Sequence, residues 1–235
     1  MVDNMAQASQ AVLNKKPEMD NFRRIVPSLI EKGLDNINLT MFNEETRLGI
    51  LNALGEEYQR KGSLDQAIKA FILSGNRSKL TEIGHDYEKV ALFSHAIDAF
   101  RLADNRDELM RIGDKCLTDG RLGDAIKAYR LLGNNEKLIK VGEFCMNKSK
   151  WDFAIEVFSA IKSKPKLVEV GDRCLADNQL AYAFKSYSGA EDKDKLNLLG
   201  FTCLLQGVRR MAHDAYEKAG NTMMLEFIKE NFQGA

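Results

Sequence analysis

Cysteine and histidine are the side chains of this 235-residue protein best suited to hold a metal or act as nucleophiles, and there are four of the first and three of the second. Thiolates gathered by a fold bind zinc, and paired thiols close disulfides. The spacing argues for neither. Cys116, Cys145, Cys174 and Cys203 follow one another at intervals of 29 residues, with no C-x-x-C pair, and His85, His95 and His213 share no interval with them. A thiol that returns once per structural unit reads as a small, mildly apolar filler of a packed interior. The adjacent carboxylates Glu44–Glu45 and Glu56–Glu57 fall where exposed helix positions are expected, so they read as solvated charge. The chain has no H-E-x-x-H, no G-x-S-x-G and no phosphate-cradling glycine loop. The sequence therefore predicts no catalytic residue, no metal and no cofactor, and a protein that is not an enzyme.

The interval of 29 belongs to more than the cysteines. Gly55, Gly84, Gly113, Gly142, Gly171 and Gly200 keep it without insertion or loss. So do Ala67, Ala96, Ala125, Ala154, Ala183 and Ala212, and four residues after each alanine comes Phe71, Phe100, Tyr129, Phe158, Tyr187 or Tyr216. An aliphatic residue precedes each glycine, from Leu54 to Leu199, and a leucine closes each unit, from Leu80 to Leu225. Three residues after the glycine stand Tyr58 and Tyr87, then the four cysteines. A fixed period in this range marks stacked repeats, each packed mainly on its neighbours.

Within a unit the columns predict two helices. Leu80, Ile83, Gly84 and Tyr87 share one face at i, i+3, i+4 and i+7, which defines a helix A; Ala96, Phe100 and Ala103 define a helix B. Gly62, Gly120, Asn178 and Gly207 separate A from B, with Ala91 and Ser149 as exceptions, and Gly75-Asn76, Asp104-Asn105, Gly133-Asn134 and Gly220-Asn221 follow B. A glycine inside a helix costs about 1 kcal/mol against alanine, so its sixfold return implies close approach where A crosses B, with the aromatic filling the space between hairpins.

The expected fold is all-α, an α-solenoid of about six helix-turn-helix repeats with flanking capping helices. Residues 1–19 read as a mobile N-terminal segment, 20–42 as a capping helix and linker, 43–221 as the repeats and 222–235 as a C-terminal capping helix. Phe22, Ile25, Val26, Leu29 and Ile30 form the apolar face of the first cap, Pro27 is expected to kink it, and Gly33 with Asn36 to end it. Asn43 is expected to N-cap a helix reaching Lys61. The last helix carries Met223, Met224, Leu225, Phe227, Ile228 and Phe232, more than one face needs, which points to self-association through it.

Aliphatic-Gly, an aromatic three later, alanine twelve after the glycine and Phe or Tyr four beyond that is the core pattern of the tetratricopeptide repeat, and Leu54-Gly55-Tyr58-Ala67-Phe71 and Ile83-Gly84-Tyr87-Ala96-Phe100 resemble it fully. The likeness covers residues 48–232. It departs from that family in its shorter unit, 29 against about 34 residues, in lacking the early tryptophan and late proline, and in turning the aromatic after the glycine into cysteine. The closing Lys-Leu pairs (Lys79-Leu80, Lys137-Leu138, Lys166-Leu167, Lys195-Leu196) also look like the helical-hairpin arms of coatomer and intraflagellar-transport proteins.

The resemblance implies a right-handed superhelix whose helices A line a concave face, with ligand contacts three before, one after and four after the glycine. Carried over, these positions give an acidic ladder of Asp114, Glu143 and Asp172 flanked by Met110, Ile139, Val168, Leu117, Met146 and Leu175. The implied function is a protein–protein interaction scaffold or adaptor that binds a basic and apolar peptide or helix along this groove. A competing reading makes the aliphatic residues core of a tighter superhelix and the acids solubilising charge. The alternative function is a structural segment of a coat- or transport-type assembly joined through its ends. Charge narrows the partners: 34 basic and 34 acidic side chains leave no net charge, which disfavours nucleic acid, whose phosphates demand a basic groove. No run of eighteen apolar residues occurs, so no membrane insertion is expected, and with no apolar leader segment the expected location is cytoplasmic.

Overall fold

The computed structural model describes residues 24–232. The segment 1–19 and Phe22 lie outside the described residues. Fourteen α-helices and one short 3-10 turn, with no strand, make up the described residues. The chain divides into two compact units between Leu109 and Met110.

In the first unit, α1 (Val26–Lys32) is followed by the 3-10 turn Leu34–Asn36, α2 (Glu44–Arg60), α3 (Leu64–Ser74), α4 (Arg77–Lys89) and α5 (Phe93–Leu102). Helix α6 (Arg106–Thr118) carries the chain across the division. The second unit continues with α7 (Leu122–Leu132), α8 (Asn135–Asn147), α9 (Trp151–Ala160), α10 (Lys164–Ala176), α11 (Leu180–Ala190), α12 (Lys193–Leu205), α13 (Arg209–Ala219) and α14 (Thr222–Phe232). Within each unit consecutive helices pack on one another: α2 on α3 and α4 on α5 in the first, α8 on α9, α10 on α11 and α12 on α13 in the second. This is the packing of a helical repeat, and the even-numbered helices from α2 to α12 carry the recurrent glycine.

One correction concerns the first helix. Pro27 does not kink it. Proline sits in its first turn, where its missing N–H is no loss, in a helix that spans Val26–Lys32; the expected start at Asp20 lies outside the described residues. Gly33 ends it at φ 79°, as expected. Asn43 does N-cap α2, its side chain accepting from Thr46 N at 2.9 Å, and α2 ends at Arg60.

The reason for the glycine also differs from the expected one. A Cβ on Gly113, Gly142 or Gly200 would lie 2.9, 2.5 or 2.8 Å from the ring of Tyr129, Phe158 or Tyr216, and Gly55, Gly84 and Gly171 face Phe71, Phe100 and Tyr187 in the same way. What excludes a methyl is the aromatic ring of the same hairpin packed against the glycine, not the partner backbone. The aromatic therefore locks A to B within one hairpin, and Tyr129 also faces the next, with Lys137 Nζ 5.8 Å from its ring centroid. All six column alanines are fully buried, and so are the six rings, at most 2% exposed.

Every hairpin turn has the same chemistry. The second residue after helix A takes a left-handed conformation at all six positions, Gly62, Ala91, Gly120, Ser149, Asn178 and Gly207, with φ between 53° and 76°. The residue after that donates its N–H to the carbonyl of the Tyr or Cys column, as in Ser63 to Tyr58 at 2.9 Å and Gln179 to Cys174 at 2.7 Å, which closes the helix end as a Schellman motif. The turns after helix B repeat it on the aromatic carbonyls, Asn76 to Phe71 and Asn134 to Tyr129 among them, with Lys162 and Glu191 left-handed where the other turns have Gly or Asp.

Candidate functional site

The expected groove residues all fall in the second unit, on α6, α8 and α10. Met110, Leu117, Val168 and Leu175 are half-buried, Ile139 lies at the surface and Met146 is buried. The carboxylates of Asp114, Glu143 and Asp172 are each a little under half exposed.

None of the three carboxylates is free. Lys137 Nζ lies 2.6 Å from Asp114, Lys166 Nζ 3.0 Å from Glu143 and Lys195 Nζ 2.7 Å from Asp172. Each lysine precedes the leucine that closes its acid's unit and stands on the following helix A, so each ion pair joins one helix A to the next: α6 to α8, α8 to α10, α10 to α12. The aromatic column adds a second donor where it is tyrosine. Tyr129 Oη donates to Asp114 at 2.6 Å and Tyr187 Oη to Asp172 at 2.7 Å, in both cases to the oxygen that takes the lysine. Where the aromatic is Phe158 there is no hydroxyl, and the acid is the longer Glu143.

Burial works against the ionised form of Asp114, but Lys137 and the Tyr129 hydroxyl outweigh it and hold the carboxyl below its ordinary value. Burial and the neighbouring carboxylate push the Tyr129 and Tyr187 hydroxyls well above theirs. Both groups thus stay in the states that keep the bond.

The first unit varies the same pairing. The column after the glycine holds His85, and the column before the leucine holds Glu108, with 3.9 Å between His85 Nε2 and Glu108, so acid and base change places. In the last pair both charges are gone: Phe201 follows Gly200, and Met224 precedes Leu225. In the sequence alone the acids read as a ligand-facing ladder and the Lys-Leu pairs as a family trait. The constant offset of 23 residues between the two columns is the signal that would have joined them.

The arrangement offers little to small-molecule chemistry. A depression lined by Glu143, Met146, Asn147, Lys166, Glu169 and Arg173 holds about 160 Å³, below the ~300 Å³ at which ligand pockets begin, and Lys166 and Arg173 both bond Glu169 within it. The four thiols are buried and unpaired with one another. Burial pushes Cys145 up to about 11 and Cys174 up to about 12, so neither yields thiolate near neutrality. Among the described residues, one group of potential ligands brings its atoms within 4.8 Å, His213, Asp214 and Glu217, all exposed on α13.

The outward face of the A helices changes character along the second unit. Two residues before the glycine stand Arg111, Lys140 and Glu169, and then Leu198 and, at the equivalent place on α14, Phe227. One after the glycine the acids give way to Phe201, and five after it Thr118, Asn147 and Ala176 give way to Leu205. Leu198, Phe201, Leu205, Met223 and Phe227 are 48, 53, 73, 71 and 45% exposed. Among the described residues, no helix is long and apolar enough to cross a membrane.

No protein-family model matches this chain, and no curated protein matches it.

Proposed function

We propose that the chain is a protein–protein interaction scaffold of tetratricopeptide type, a right-handed stack of hairpins that binds a peptide or helix of a partner along the face of its A helices and performs no chemistry of its own. One observation carries this reading. The inward columns repeat without variation in character and are buried, whereas the outward columns of the A helices differ from unit to unit. Packing requires the first; the second leaves a surface that differs from unit to unit and can distinguish one partner from another.

The charge ladder enters this reading as a joint between units, because each acid already holds a lysine. The partner's basic character therefore counts for less, and its apolar character for more. Photo-crosslinking tests the proposal. A benzoylphenylalanine placed at Arg111, Lys140 or Glu169 should capture a partner from the native cytoplasm, and the same group on the outward side of the B helices, at Arg101 or Arg130, should not. Capture only from the B-helix positions would exclude the A-helix face.

A second reading, a segment of a larger coat- or transport-type assembly joined through its ends, draws on the exposure of Met41 (81%) ahead of α2 and of Met223 on α14. Light scattering after size exclusion separates it from the first: end-joined segments self-associate as concentration rises, and a groove scaffold stays monomeric.

A further inference from the structure

The apolar stripe on α12 and α14 has the form of a helix-binding trough. Leu198, Phe201 and Leu205 lie at i, i+3 and i+7, on one side of two turns of α12. Met223 and Phe227, at i and i+4, make a second ridge on α14. The two helices are tied where the N-cap Asn221 donates to Asn197 at 2.7 Å. Two neighbouring ridges of this kind leave a furrow that suits the side chains of a third helix. Upstream the furrow stops at the Asp172–Lys195 pair, where the exposed face turns polar.

A second observation points into the same place. Tyr216 is 2% exposed and lies over Gly200, with Cζ as the ring atom nearest to the glycine. Tyr129 and Tyr187, its equivalents, donate to Asp114 and Asp172. At that column α12 carries Phe201 instead, and among the described residues Tyr216 has no hydrogen-bond partner. Its oxygen is not sealed in, because Ser188 Oγ is the one enclosed side-chain polar atom without a partner among the described residues. An almost fully buried side chain thus keeps a hydroxyl that is not sealed in and has no acceptor among the described residues, at the column that Phe201 occupies by equivalence with Asp114 and Asp172.

We infer that this trough docks an amphipathic α-helix of another protein, apolar towards Leu198, Phe201, Leu205, Met223 and Phe227, with one acceptor side chain near its middle that takes the Tyr216 proton. The size of the surface selects this occupant. At their recorded exposures the five side chains present on the order of 500 Å², enough to mark an interaction site on a monomer. That falls short of the ~800 Å² per partner of a stable interface between folded surfaces, which a second copy would need, but it matches one helix face of two to three turns. The inference rests on the scaffold reading and names its site and partner class.

The test uses three labelled 16-residue peptides and fluorescence anisotropy: an amphipathic helix with leucines at i, i+3, i+7 and i+10 and a central glutamine, a scrambled peptide of the same composition, and an extended lysine-valine peptide. The full chain should bind the first at least tenfold more tightly than the other two. Phe201→Asp with Leu205→Lys, both on exposed positions, should weaken that binding at least tenfold while far-UV circular dichroism stays unchanged. Tyr216→Phe should weaken it two- to tenfold, and should have no effect once the central glutamine is leucine. Equal binding of the amphipathic and scrambled peptides, or no binding of any, overturns the inference. So does self-association of the wild-type chain that the double variant abolishes, which gives the face to a second copy. Binding of the lysine-valine peptide unaffected by the double variant overturns the site and leaves the scaffold reading standing, since that reading answers to the A-helix cross-links.

Discussion

The glycine column shows how one residue type can be dictated by a ring rather than by a backbone. A methyl on Gly142 would meet Phe158 Cζ at 2.5 Å, a separation real side chains do not tolerate, so Phe158 must leave a fully buried place. Overpacking of this kind costs about 1–3 kcal/mol, against up to about 1 kcal/mol recovered in helix propensity. Gly142→Ala should therefore destabilise the second unit by about 1–2 kcal/mol in urea titrations followed through Trp151, the single tryptophan. Phe158→Leu should remove most of that penalty, and an additive pair of effects would show that the ring is not the cause. The Asp114 clamp makes a prediction about acid. Its carboxyl is held below the ordinary carboxylate value in the folded chain, so its stabilising effect is complete above that value and fades as pH falls through the lower, folded-state one. The gap in melting temperature between the wild type and Asp114→Asn should be open at pH 7 and should close below about pH 4. A gap that stays constant with pH would mean that the ionised carboxylate contributes nothing. The side chain is nearly half exposed, so the gap is small.

At the scale of elements, the turns carry an unequal load. Ala91 and Ser149 adopt the left-handed conformation that four equivalent turns give to Gly or Asn. A Cβ in that region costs roughly 1–2 kcal/mol, partly offset because glycine frees the unfolded chain. Ala91→Gly should raise stability by about 0.5 kcal/mol, visible as a higher urea midpoint at unchanged slope. A lower midpoint would place the strain elsewhere. The two turn types also differ in how the next helix starts. Helices A begin at Asn or Asp side chains that accept from the third residue on, as Asn76, Asn134 and Asp192 do, with Ser163 making no such bond. Helices B begin without any side-chain cap. The A helices are thus the better defined locally, and the B helices depend on their hairpin partners.

For the molecule as a whole, the cross-unit pairs set register. Acid and lysine alternate along α6, α8, α10 and α12, and each pair spans a junction. Exchanging Asp114, Glu143 and Asp172 together for lysine turns three attractive junctions into repulsive ones. Each exposed pair is worth about 0.2–1 kcal/mol, so thermal stability should fall measurably even where no partner is present. Exchanging Lys137, Lys166 and Lys195 for acids in the same chain should restore it. A triple variant as stable as the wild type would remove the ladder's joining role. At the far end, Lys229 stands on α14 where the register calls for glycine. An aromatic cannot lie over a lysine as Tyr216 lies over Gly200, so α14 departs from the pattern of the other helices A.

The sequence by itself determined the helices, their pairing into hairpins and the identity of the buried columns. These depend on near neighbours, and a period of 29 writes near-neighbour demands six times over. Even the left-handed turns were legible wherever glycine or asparagine marked them; Lys162 and Glu191 were not, because nothing in a lysine or glutamate announces that conformation. Tertiary structure decided what the outward residues do. Asp114 looks the same in a sequence whether it waits for a ligand or holds Lys137, since the two stand 23 residues apart and meet only when one hairpin stacks on the next. Tyr216 is the opposite case: the sequence itself removes the acceptor its equivalents have, by placing Phe201 where Asp114 and Asp172 stand.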